Sequence, residues 1–162
     1  MSEDVLRIRT PIGIHYQYSA GPNASSHLRG LMEGKFIGKR CPRCTLVYMP
    51  PRSTCAKCGV LLGEDVEVGP KGTITTFCIV NVAFLGQTIK IPYVAATILI
   101  DGTDLGMQHL IQECETSDVR MGMRVEPVWK PREEWQPSLA NITHFRPTGE
   151  PDADFASFSG QL

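Results

Sequence analysis

Two Cys-x-x-Cys pairs set close together, then five β-branched or apolar runs parted by turn signals, predict a mainly β fold. Its expected parts are a short N-terminal helix, a four-cysteine zinc ribbon and a five-stranded barrel of the OB type, with a simple sandwich as the alternative to the barrel. A chain of 162 residues has room for one domain, or for a small module joined to a modest one. Four segments are expected: a lead-in and helix over 1–36, the ribbon over 37–66, the barrel over 67–147 and an acidic tail over 148–162.

In chain order, residues 1–23 read as an irregular lead-in, with Pro11, Gly13, Gly21 and Pro22 as breakers. A helix is expected from about Ser25 to Phe36. Ser25 or Ser26 can cap it, and Leu28, Leu31, Met32 and Phe36 recur at helical spacing. Gly30 and Gly34 weaken this helix in isolation, so it needs something to pack against. Beyond the cysteines, Thr73–Phe84 is a long β-branched run in which Ile74, Cys78, Val80, Val82 and Phe84 share one face. Tyr93–Ile100 is almost wholly apolar, as in a strand buried on both sides. Asp101-Gly102-Thr103 makes a hairpin turn that returns through Leu105–Gln112. After a polar link, Glu113–Gly122, come two further strands, Val125–Lys130 and Leu139–Arg146. Pro127 confines the former to an edge or a bulge. The tail carries Glu150, Asp152 and Asp154 and no base. It is expected to be flexible in the free chain, with Phe155 and Phe158 as candidate docking residues for a partner.

Hydrophobic content of 42% and charge of 20% suit an ordinary soluble domain. No apolar run approaches the roughly 18 residues that span a bilayer, so no membrane is expected. Met1 to Thr10 mixes Glu3, Asp4, Arg7 and Arg9 with isolated apolar residues and has no hydrophobic signal core, so a cytoplasmic setting with reduced thiols is expected. In a reducing compartment paired cysteines indicate a metal rather than a disulfide framework.

The pattern is Cys41-x-x-Cys44, ten residues, then Cys55-x-x-Cys58. Each turn lets two sulfurs converge on one ion while backbone amides point at them, and two turns complete a tetrahedron with Zn–S distances of about 2.3 Å. Gly59 frees the second turn, and Pro50-Pro51 stiffens the connection. Zinc is the expected ion; iron in a rubredoxin-like site is the alternative with a similar ligand set. Four protein thiolates leave no position open for water, which is the structural form of such a site. Between Gly34 and Gly63 lie Lys35, Lys39, Arg40, Arg43, Arg52 and Lys57, and no acid. These cations either stabilise the thiolates or bind a phosphate-rich partner.

No catalytic residue is expected. Cys78 falls on an apolar strand face, as a small buried hydrophobe would. Cys114 stands between Glu113 and Glu115, whose charge raises a thiol pKa. His109 alternates with Leu105, Met107 and Ile111 as a packed strand residue, and His15, His27 and His144 have no partner nearby in sequence.

Phe36-Ile37-Gly38-Lys39-Arg40 leads into the first cysteine pair and Pro50-Pro51-Arg52 precedes the second. Gly72-Thr73-Ile74-Thr75-Thr76-Phe77 opens the barrel; Pro92-Tyr93-Val94-Ala95-Ala96, Met121-Gly122-Met123-Arg124-Val125 and Phe145-Arg146-Pro147 follow. In this order, over roughly residues 25–150, they resemble the OB-fold acyl-CoA-associated family with its rubredoxin-like zinc ribbon. The resemblance implies a small companion subunit of a thiolase-superfamily enzyme, working with acyl-CoA in aromatic degradation (benzoylsuccinyl-CoA, for example) or steroid side-chain degradation. Trp129–Trp135 and Pro147–Asp154 resemble the thiolase-companion branch. Lys39, Arg40, Arg43, Arg52 and Lys57 are then candidate contacts for the CoA phosphates or for the partner. The alternative from another class is a single-stranded nucleic-acid-binding module, since ribbons and OB barrels both serve there. The net charge of −1, and strands without interleaved cations and aromatics, count against it.

Overall fold

The computed structural model describes residues 6–8, 10 and 12–161; what the sequence suggests for residues 1–5, 9, 11 and 162, including Pro11 as a breaker, lies outside the described residues. Helix α1 runs over Gly21–Met32, starting earlier than expected. Pro22 stands in its first turn, where a missing N–H goes unnoticed and a preset φ helps, so Gly21-Pro22 is a start signal and not a break. Ser25 and Ser26 lie inside the helix and cap nothing; the Ser26 hydroxyl donates to the Asp65 carboxylate instead. Gly34 adopts φ +75°, and the Lys35 N–H returns to the Gly30 carbonyl at 2.9 Å, so the helix stops before Phe36. Its buried residues are His27, Gly30 and Leu31, while Met32 is left partly exposed.

Phe36 instead opens β1, Phe36–Arg40, which pairs antiparallel with β2, Val47–Tyr48, and with β3, Asp65–Val68. α1 lies directly on β1. A Cβ at Gly30 would sit 2.4 Å from Ile37 Cγ1, and the buried His27 donates Nδ1–H to the Ile37 carbonyl at 2.8 Å.

The barrel comprises β4 Gly72–Val80, β5 Tyr93–Ile100, β6 Gly106–Ile111, β7 Arg124–Trp129 and β8 Ile142–Pro147. It closes in the order β4-β5-β6-β8-β7, with β6 and β8 parallel, which excludes the sandwich. β4 meets β7 only through Gly72–Val125 and Thr73–Arg124, so Pro127 lies where β7 has one open side, as its missing donor requires.

Three strand expectations need correction. A bulge between Ile74 and Thr76 reverses the facing of β4. Ile74 points inward, but beyond the bulge Phe77 takes the core side and Cys78 is exposed. The strand ends at Val80, leaving Val82 and Phe84 exposed in a loop. β5 is not buried on both faces: Val94, Ala96, Ile98 and Ile100 are buried, while the residues between them are only half-buried. Leu139 belongs to a 3-10 turn, and β8 starts at Ile142.

One apolar cluster runs through the fold, joining Leu31 of α1, Phe36, Val47, Met49 and Val68 of the ribbon sheet, and Ile74, Ile98, Ile100, Val125 and Phe145 of the barrel. Buried Asn141 links the same parts through donors to the Leu31 carbonyl at 3.3 Å and the Gln136 carbonyl at 2.7 Å.

The tail is not free. Arg120 grips Asp152 at 2.6 and 2.8 Å, Lys71 pairs with Glu150, and the Ala153 N–H donates to the Gly122 carbonyl at 2.8 Å. Phe158 is buried against the barrel at 3% exposure, whereas Phe155 remains 57% exposed. Of the two candidate docking residues, Phe158 is therefore already seated on its own chain.

Candidate metal centre and its basic rim

The two knuckles are built alike. The Cys41 N–H donates to the Leu46 carbonyl at 2.8 Å and the Cys55 N–H to the Val60 carbonyl at 2.9 Å. The Thr45 N–H returns to the Cys41 carbonyl at 3.0 Å, and the Gly59 N–H to the Cys55 carbonyl at 2.9 Å. Both turns end on a left-handed residue, Thr45 at φ 64° and Gly59 at φ 68°. Gly59 was legible as the turn-former, while Thr45 pays for the same conformation with a Cβ; its hydroxyl bonds locally to the Cys44 carbonyl at 2.7 Å.

These turns bring the sulfurs of Cys41, Cys44, Cys55 and Cys58 within 4.8 Å of one another, with Cys44 and Cys55 Sγ 3.6 Å apart. Metal–sulfur bonds of about 2.3 Å in a tetrahedron place sulfurs roughly 3.8 Å apart, so the donor set fits one divalent ion. Amides of Arg43 and Cys44 point at Cys41 Sγ, and that of Cys58 at Cys55 Sγ, each at 3.4 Å. Tyr48, which the sequence reading passed over, accepts from the Ala56 N–H at 3.2 Å and so turns its own proton toward Cys55 Sγ, 3.3 Å away. That hydroxyl is the largest reason the Cys55 thiol falls to about 6, while Cys58 is pushed up to about 12, chiefly by its hydrogen bond to Cys44. Thiols crowded in this way ionise together only when a cation joins them. The four cysteines are a metal-binding site, and all four positions of a tetrahedron are filled by protein sulfur.

The basic segment is less basic in space than in sequence. Lys39 pairs with Asp65 at 2.8 Å, Lys35 with Glu67 at 3.0 Å, and Arg40 approaches Glu64 at 3.9 Å. All three acids lie just beyond Gly63, where the acid-free stretch ends. The Lys39 bond is the main cause that holds the Asp65 carboxyl below its ordinary range. Arg43, Arg52 and Lys57 are exposed and, among the described residues, make no ion pair within 4 Å. Arg43 and Lys57 each directly precede the second cysteine of a knuckle, and Arg52 stands 5.9 Å over the Tyr48 ring.

The remaining candidates do not converge. Cys78 is exposed on β4. Cys114 is half-buried, and burial, more than Asp118 or Glu115, raises its thiol pKa. His109 is packed against Phe145 at 5.4 Å, and burial lowers its pKa. The fold brings His144 a partner from far along the chain: its Nε2 meets Glu113 Oε1 at 2.9 Å across 31 residues. The adjacent Thr143 hydroxyl lies 3.0 Å from both the Val128 carbonyl and His144 Nδ1.

The model for the ChsH2 rubredoxin-like zinc ribbon domain matches residues 29–61, and that for the ChsH2 C-terminal OB-fold domain matches residues 65–130. A DUF35 domain-containing scaffold protein of Methanocaldococcus jannaschii is 38% identical over 96 residues, covering 58% of this chain and 67% of that protein. Two solved structures share the fold. An Ltp2-ChsH2(DUF35) aldolase superimposes with TM-score 0.59 at 17% identity, over 81% of this chain and 98% of that one. A DUF35-family protein of unknown function from Sulfolobus solfataricus gives TM-score 0.59 at 20% identity, over 78% and 84%.

Proposed function

The chain belongs to the DUF35 family, in which a ChsH2-type zinc ribbon precedes an OB-fold domain, and from that premise we propose that it is a non-catalytic, zinc-containing accessory subunit of a thiolase-like enzyme acting on acyl-CoA thioesters. One observation carries the reading: a metal centre closed by four protein thiolates presents exposed Arg43, Arg52 and Lys57 beside a barrel. Such a surface binds anions and has no open coordination position with which to activate water. The relative described as a scaffold protein, and the fold neighbour described as an aldolase that includes a DUF35 chain, support the same role. Zinc, which has no redox chemistry, suits a purely structural site better than iron.

On this reading the chain's residues position a substrate that the partner transforms. Arg43, Arg52 and Lys57 attract the phosphates of CoA or carboxylates of the partner. Lys39 and Arg40 contribute less, because Asp65 and Glu64 already face them. The acyl group belongs to aromatic or steroid side-chain degradation, and the assembly works in the cytoplasm. The exposed positions of β4 and β6, which are Thr76, Cys78, Ile79, Gly106 and Gln108, carry no aromatic ring for a base to stack on, and this counts against the single-stranded nucleic-acid reading.

Isolating the native complex and identifying the partner tests assembly. Arg43→Glu with Arg52→Glu tests the rim. The Michaelis constant for the ester should rise more than turnover falls, since phosphate anchoring is shared by ground and transition states. Unchanged ester affinity and salt dependence, with metal retained, would assign the cations to the thiolates or to the protein interface instead. Thioester turnover by the isolated chain, surviving Cys78→Ala and Cys114→Ala, would place the chemistry here and overturn the accessory role.

A further inference from the structure

Residues 6–18 have no helix or strand among their described positions, yet their sequence has a strict period of two. Leu6, Ile8, Ile12, Ile14, Tyr16 and Tyr18 are all even-numbered, and they are 90%, 87%, 82%, 74%, 77% and 76% exposed. The odd positions are Arg7, Arg9, Pro11, Gly13, His15 and Gln17. The rings of Tyr16 and Tyr18 lie 6.3 Å apart. Alternation of this kind is the signature of a strand with one buried face. Among the described residues none covers that face, although the C-terminal tail finds a seat on the barrel through Phe158.

The uncovered surface is large enough to hold a complex together. Two tyrosines and four aliphatic side chains offer on the order of 700 Å², close to the roughly 800 Å² that one partner contributes to a stable interface. Pro11 fixes the register. Successive residues of a strand direct their N–H and C=O groups to opposite sides, and proline is tolerated only where its missing donor faces away from a neighbour. A ladder made by the even residues is the one that needs no donor from Pro11. The segment then has the properties of an edge strand. Thirteen residues extend about 43 Å. The free strand edges among the described residues, those of β2, β3, β4 beyond Ile74, β6 before Ile111 and β7 beyond Val125 included, are each shorter than half of that, so none of them on a second copy matches the segment.

We propose that residues 6–18 add as an edge strand to an open sheet edge of the enzyme subunit, with the even-numbered residues forming the ladder and burying their side chains on that subunit. The inference rests on the accessory-subunit reading and names the surface by which that partner is held.

The test uses the native complex and the full chain. Hydrogen exchange over residues 6–18 should be fast in the free protein and at least tenfold slower in the complex. Ile8→Glu with Ile14→Glu should weaken assembly at least tenfold while metal content and barrel stability stay unchanged. Thr10→Pro, which removes an even donor without touching the apolar stripe, should weaken assembly too. Gly13→Pro, at an odd position where an added Cβ meets nothing within 4 Å, should leave it intact. A complex that forms with these residues still exchanging fast overturns this inference alone, and failure to find any such enzyme partner overturns the accessory reading with it. Equal loss from both proline variants overturns the strand register. Protection in the free protein that rises with concentration indicates a second copy, and protection by phosphatidylglycerol vesicles indicates a membrane surface; each refutes the proposal.

Discussion

Replacing Phe158 by alanine should release the C-terminal tail while leaving the barrel folded. Phe158 is 3% exposed and, with Thr73, Leu99, Ile100, Gly102 and Thr103, lines a hollow between the tail and the barrel. Burying such a ring stabilises by about 3 kcal/mol. The other ties are weaker. Arg120–Asp152 and Lys71–Glu150 are solvent-exposed pairs that contribute little, and the Ala153–Gly122 hydrogen bond adds roughly 1 kcal/mol. Ordering the tail opposes them at about 1–2 kcal/mol per residue fixed. The docked state therefore depends on the phenylalanine. A loss of about 3 kcal/mol is roughly a 100-fold shift in the opening equilibrium. Hydrogen exchange at the Ala153 amide should quicken by about that factor. The urea midpoint should fall far less than for Phe145→Ala, since a core phenylalanine costs about 3–5 kcal/mol to remove and the tail can detach alone. An Ala153 amide as protected in Phe158→Ala as in the parent would refute this account of the tail.

Three further outcomes follow from the same geometry. Cys44→Ser leaves three thiolates, so near-complete metal loss and poor solubility are expected; one equivalent of metal per chain by elemental analysis would contradict the closed site. Gly30→Ala should destabilise, because its Cβ meets Ile37 Cγ1 at 2.4 Å and overpacking costs about 1–3 kcal/mol, against roughly 1 kcal/mol of helix propensity gained. Ile37→Ala should recover most of that loss in denaturation, the Lys35 carbonyl at 3.1 Å staying as the other close neighbour, and an undiminished loss there would disprove the clash. Burial lowers the pKa of both His27 and His109, so the folded state binds fewer protons than the unfolded one. Their stabilising contribution is complete above the ordinary histidine value of about 6.5 and declines as pH falls below it. Thermal melts of His27→Gln should lose part of that slope between about pH 6.5 and 5, and a slope identical to the parent's would assign it elsewhere.

What was legible in the sequence was local. Cysteine spacing, the Gly59 turn and the Asp101-Gly102 hairpin each depend on a few neighbouring residues, and all stand in the structure. What was not legible depends on partners distant in sequence. The facing of Cys78 turns on one bulged residue, Thr75, which a period-two reading carries straight through. Lys39 and Arg40 looked surplus because Glu64 and Asp65 fall just past the acid-free stretch and return beside β1 only through pairing with β3. The tail looked unfolded because its acids have no local bases. Lys71 and Arg120, 79 and 32 residues away from their partners, supply them. The stripe over residues 6–18 is legible in the letters alone, but Pro11 and Gly13 divide it into pieces too short to stand out.

The placement of the metal centre gives the basic rim its mechanical footing. Val47 and Asp104 join the ribbon to the barrel by two reciprocal bonds: the Val47 N–H donates to Asp104 Oδ2 at 2.7 Å, and the Asp104 N–H to the Val47 carbonyl at 3.0 Å. Leu105, just after that turn, packs on the cysteine cluster, while Val47 and Met49 reach the other way into the core shared with the barrel. The ribbon is thus fixed to the barrel by hydrogen bonds, apolar contact and a common core. Arg43 and Lys57 ride on knuckles whose shape the metal sets, so their position relative to the barrel is settled before any ligand arrives. A backbone held in this way has little freedom to lose on binding, which leaves only the exposed side chains of Arg43 and Lys57 to be ordered. For a chain whose proposed work is to hold a substrate and an enzyme together, a closed metal site is therefore an organising element. It converts two flexible turns into a rigid mount for charge.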